Sequence, residues 1–111
     1  MKIVYQPTID DITTELVEIL YVKKYFNTEE EAQKYVNDLY HDIETNLPLK
    51  QKKRAPRYFE TKYGKGTYYA IFKKSKITSW YVLFRQYKEN EEVIYEVIHL
   101  TNNHVDAKYF V

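Results

Sequence analysis

Ile9, Ile12, Leu16, Ile19 and Leu20 recur at steps of three and four residues, a spacing that gathers one apolar stripe on an α-helix. Asp10 and Asp11 stand at its start, where the helix dipole favours negative charge. Thr8 precedes it as a candidate N-cap, and Lys23 and Lys24 fall in its last turn. A second stripe follows in Ala32, Tyr35, Val36, Leu39 and Ile43. It opens on Thr28-Glu29-Glu30-Glu31, the pattern of a capping box, and Pro48 ends it. Only a short break near Asn27 and Thr28 separates the two, so they are expected to fold back as an antiparallel hairpin.

On either side of the hairpin the period shortens to that of strands. Lys2 to Tyr5 is β-branched and aromatic and is closed by Pro7, which predicts a first strand. Residues 49–57 form a polar, basic connection. Residues 58–63 are expected to make an edge strand that stops at Gly64-Lys65-Gly66. Strands are then expected over residues 67–73, 78–87 and 93–100, with turns at Lys74-Ser75-Lys76 and at residues 89–92. The order β, α, α and then a three- or four-stranded antiparallel meander defines an α+β fold, with both helices on one face of the sheet. Alternation turns Trp80, Val82 and Phe84 to one face, and Tyr81, Leu83, Arg85 and Tyr87 to the other. If the Trp80 face meets the helices, Arg85 belongs to the open one.

Length narrows this to one domain, since 111 residues hold a single core. With 44% apolar residues the chain is expected to fold rather than stay disordered. It has no cysteine, which removes disulfides, thiolate nucleophiles and cysteine-ligated zinc. Its apolar runs fall short of the roughly 20 residues that span a bilayer, and its start lacks a signal-peptide pattern. A soluble, cytoplasmic protein that contacts no membrane is the expectation. Thirteen tyrosines suit a sheet with a half-exposed face, or a surface built to meet a partner.

The net charge of +1 conceals a segregation. Residues 1–47 carry four lysines against ten acids, a net −6. Residues 48–88 carry nine lysines and three arginines against Glu60 alone, a net +11. Residues 89–111 carry Lys108 against five acids, a net −4. A block this cationic within a nearly neutral domain points to a polyanion. Lys50, Lys52, Lys53, Arg54 and Arg57 are the candidate phosphate contacts, and Tyr58, Tyr63, Tyr68 and Tyr69 offer rings for unpaired bases. The alternative is a solvated connection whose lysines keep a sheet edge from pairing. His41, His99 and His104 show no metal-ligand spacing, and neither a metal nor a cofactor is expected. His99, amid apolar residues, reads as a structural histidine.

Two segments bear on identity. Ser79-Trp80-Tyr81-Val82-Leu83-Phe84 enters a central strand, and Thr101-Asn102-Asn103-His104 closes the last one, with Tyr109 shortly after. With the order of elements, they give a chain that resembles the RelE/ParE superfamily of bacterial toxins. The resemblance implies RNA or ribosome contact, metal-independent endoribonuclease chemistry and an antitoxin partner. Arg85, His104 and Tyr109 are then the catalytic candidates: His104 or Tyr109 to exchange protons, Arg85 with Lys52 and Lys53 to hold the phosphate. Trp80 stands where the family carries an arginine beside Tyr81, and Val105 where one follows the histidine. The competing expectation is a non-catalytic protein-interaction module on the same scaffold, with His104 a turn residue.

Overall fold

A computed structural model describes residues 1–110. The chain runs through β1 (Lys2–Tyr5), α1 (Ile9–Val22), α2 (Glu29–Asn46), β2 (Lys53–Arg54), α3 (Arg57–Tyr63), β3 (Tyr68–Lys73), β4 (Ser79–Glu89), β5 (Glu92–Asn102) and the short α4 (Asn103–Asp106). The architecture is α+β. One five-stranded sheet has the order β1-β5-β4-β3-β2, antiparallel throughout except for β1, which lies parallel to β5. No helix among the described residues is long and apolar enough to cross a membrane.

The hairpin forms as its stripes predict. Thr28 caps α2, its Oγ1 accepting from the Glu31 N–H at 3.1 Å, while the Glu31 carboxylate reaches back to the Asn27 N–H at 2.9 Å. Thr8, by contrast, makes no side-chain capping bond to α1. The Tyr40 hydroxyl, late in α2, donates to Asp10 at 3.0 Å at the start of α1, which fixes the two helices as antiparallel. Ile9, Leu16, Leu20, Leu39 and Ile43 pack on Trp80, Val82, Phe84, Ala70 and Phe72 to form the main core. The one tryptophan is wholly buried there, and its indole N–H donates to the Tyr35 hydroxyl at 2.6 Å.

Residues 58–63 depart from expectation: they form α3, not an edge strand. Their aromatic content favours strands, but Phe59 and Tyr63 lie four apart and share one helical face. Pro56 precedes the first turn, and Gly64, at φ 101°, stops the helix with its N–H on the Glu60 carbonyl. Phe59 is buried and, with Ala55, Tyr69, Leu83 and Ile98, forms a second core on the sheet face away from the hairpin. The chain end returns over the same face, where Phe110 stacks on Tyr81 at 3.8 Å. That face is therefore covered by α3 and the C-terminal turn rather than left open.

A bulge in β5 serves both layers. Leu83 pairs with His99 and Phe84 with Val97, which leaves Ile98 as an extra residue. Ile98 and His99 consequently both turn towards α3, while Val97 and Leu100, three apart, both reach the hairpin core. At the far end of the β4–β5 hairpin, Asn90 and Glu91 both have positive φ, 51° and 66°. Such a two-residue turn matches the twist of the strands it joins.

Candidate functional site

The cationic block separates into an edge and a helix. After α2, a single 3₁₀ turn at Leu47–Leu49 delivers the chain to β2, a two-residue strand pairing Lys53 with Tyr69 and Arg54 with Tyr68. A short, charged outer strand protects the sheet edge from further pairing. The Lys50 ammonium lies over the Phe72 ring at 4.8 Å and the Lys52 ammonium over the Tyr68 ring at 4.5 Å, so both are held against aromatic faces on the hairpin side of the sheet. Lys52 also donates to the Gln86 side chain at 3.2 Å. Lys53 and Arg57 are exposed and make no ion pair among the described residues.

Arg54 is committed elsewhere. Its guanidinium grips the Glu60 carboxylate with two bonds, at 2.7 and 3.2 Å, tying β2 to α3. The bonds from Arg54 hold the Glu60 carboxyl below its ordinary value and the Arg54 guanidinium above its own. The pair removes one cation from the five expected to meet phosphate, and it also neutralises the one acid within the block. On the outer surface of α3, Arg57, Tyr58, Thr61 and Lys62 line a shallow hollow of about 510 Å³. Lys62 joins the cationic surface through helical spacing that a strand reading of residues 58–63 could not supply.

The three catalytic candidates lie apart. Arg85, on β4, donates to the Tyr63 carbonyl and stands 4.0 Å from Glu96 on β5. His104 lies at the other end of that strand pair, its Nε2 2.8 Å from the Thr78 hydroxyl and its ring 5.0 Å from that of Tyr25. Arg85 pairs with Glu96 whereas Trp80 pairs with Asn102. At about 3.4 Å per residue, the five steps from Trp80 to Arg85 set the two ends about 17 Å apart. Tyr109 belongs to a third place, stacked on Tyr58 at 4.1 Å. Cleavage needs an acid, a base and a cation around one phosphate, and these three side chains do not converge on one.

Around His104 the polar groups bind each other. Asn102 accepts the His104 N–H at 2.9 Å, Asn103 accepts the Ser79 N–H at 2.8 Å, and the Asn103 amide donates to the Ile77 carbonyl at 2.9 Å. This staples the β3–β4 turn to the end of β5. Burial, with Lys23 close by, pushes the His104 imidazole below its ordinary value. His99 is likewise pushed down, by burial first and then by Lys62, between the rings of Phe59 and Tyr63.

Between them, α1 and α2 enclose a groove of about 670 Å³ that pattern reading had not singled out. Asp10, Glu18 and Glu29 stand on its walls, and Val17, Ala32 and Val36 also line it. Among the described residues no three histidine, aspartate or glutamate side chains gather as a metal site. Compared with family models, with curated proteins and with solved structures, the chain matches none.

Proposed function

We propose that this protein is a RelE/ParE-like domain that contacts RNA through the cationic edge made by β2 and α3. One observation carries the reading: six cations outside the Arg54–Glu60 pair, Lys50, Lys52, Lys53, Arg57, Lys62 and Lys65, fall within sixteen residues, and no other acid interrupts them. Backbone phosphates are met by several cations along one track rather than by a single deep pocket. The proposed activity is binding rather than cleavage, because Arg85, His104 and Tyr109 stand at three separate places. Replacing Lys52, Lys53, Arg57 and Lys62 together with alanine tests it. A fall in affinity for a single-stranded RNA of at least tenfold at low salt is expected. Unchanged affinity in a folded variant would defeat the proposal.

A second reading, a protein-interaction module, draws on the groove between α1 and α2. Its acidic walls suit a basic, amphipathic segment of a partner protein. The readings separate by charge reversal: Asp10→Lys with Glu18→Lys and Glu29→Lys leaves RNA affinity in place under the first and abolishes partner binding under the second.

A further inference from the structure

Of the four tyrosines that offered rings for bases, the structure leaves one ring available. Tyr69 is buried and Tyr63 faces the second core, while Tyr68 carries the Lys52 ammonium over its ring. Tyr58, on the outer surface of α3, is 48% exposed. Its ring is nonetheless held: Tyr109 stacks on it at 4.1 Å and 12°, and Phe59 meets it edge-on at 5.0 Å. Tyr109 covers one face of the ring and does not line the α3 hollow, whereas Tyr58 does.

We infer that the hollow beside Tyr58 is a stacking site for one unpaired nucleobase. This rests on the reading of the β2–α3 edge as an RNA surface and states how that surface selects single strands. A base entering the hollow extends the Tyr109–Tyr58 stack by one member. Such stacking tolerates any base, because every base has a π-face. Arg57 and Lys62 line the same hollow, with the Lys62 ammonium over the neighbouring Tyr63 ring, and supply cations for the phosphates next to the stacked nucleotide. The Thr61 hydroxyl, a donor and an acceptor on the same wall, is placed for a polar edge of the base or its sugar. Because Tyr109 already holds the ring, little side-chain entropy is lost on binding. A duplex, whose bases are stacked on one another, gains nothing here.

The test uses a ten-nucleotide single-stranded RNA carrying one 2-aminopurine, the same sequence as DNA, and the RNA annealed to its complement. With wild-type protein, 2-aminopurine fluorescence is quenched on binding and the single strand binds more tightly than the duplex. Tyr58→Phe keeps both effects. Tyr58→Ala and Tyr58→Leu lose the quench and about tenfold or more in affinity, while their melting curves and circular dichroism certify the fold. If the single-stranded DNA is quenched equally, the site reads bases without reading the sugar, and the stacking inference stands. If Tyr58→Leu binds and quenches as wild type, or duplex and single strand bind alike, the stacking site is refuted while the cationic edge survives. If wild-type protein binds no nucleic acid at low salt, the edge itself is refuted and the stacking site with it.

Discussion

The indole N–H of Trp80 is buried beneath the helical hairpin, and the Tyr35 hydroxyl is its partner. Burial pushes the Tyr35 phenol above its ordinary value, so the group stays protonated at neutral pH and the bond persists. Tyr35→Phe leaves that buried donor without a partner. A loss of about 1–3 kcal/mol in urea unfolding is expected, and no loss would remove the bond from the account. His99 gives a pH signature. Its folded value lies below the ordinary 6.5, chiefly through burial, then through Lys62, with Asp106 acting the other way. Between the lowered folded value and 6.5 the unfolded chain binds the extra proton, so stability rises with pH up to about 6.5 and is lost as pH falls through that window. Melting temperatures between pH 7.5 and 5 should therefore fall more steeply for wild type than for His99→Leu. Equal slopes would mean that the imidazole titrates alike folded and unfolded.

At the scale of elements, what the sequence disclosed follows from periodicity. The stripes of α1 and α2 and the alternation in β4 were legible because each lies within one element and repeats several times. The capping bond at Thr28 was equally local. Thr28→Ala should cost about 0.5–2 kcal/mol in chemical denaturation, and a neutral result would contradict the cap. What stayed hidden depends on contacts distant in sequence. Only two residues of β2 pair, so no period arises there, and α3 has a single four-residue repeat, Phe59 to Tyr63, within an aromatic run that reads as strand. Pro56 and Gly64 were the available signal. Among the candidate site residues, Lys53 and Arg57 are exposed and Lys52 lies over Tyr68 on the hairpin side, whereas the Arg54–Glu60 pair follows from a fold-back between β2 and α3 that spacing could not reveal. The β4–β5 turn carries a further test. Glu91 adopts φ 66°, a region where a side chain costs roughly 1–2 kcal/mol. Glu91→Gly should raise stability by up to about 1 kcal/mol, and destabilisation would argue against the turn.

Across the whole molecule acidic and cationic side chains are gathered in different elements. The hairpin layer holds the acidic groove on one side, and β2 with α3 presents cations at the edge and the opposite face. The near-zero sum of charges therefore conceals a segregation that draws a polyanion to the cationic segment. Under the proposed RelE/ParE-like reading an active toxin would arrest growth, whereas the separation of Arg85, His104 and Tyr109 argues for binding without cleavage. Induced expression in a bacterial host distinguishes them: growth is expected to continue, and arrest relieved by Arg85→Ala with His104→Ala would restore those residues as a catalytic pair.

The salt dependence of RNA binding tests the cationic edge most directly. Affinity for a single-stranded RNA, measured from low to physiological salt, should fall with a log–log slope near −0.7 for each phosphate neutralised, or about −3 for four contacts. The variant lacking Lys52, Lys53, Arg57 and Lys62 should bind weakly with a much shallower slope, since only Lys50 and Lys65 of the six cations remain. A wild-type affinity that ignores salt, or a variant that keeps the full slope, would contradict RNA recognition by β2 and α3.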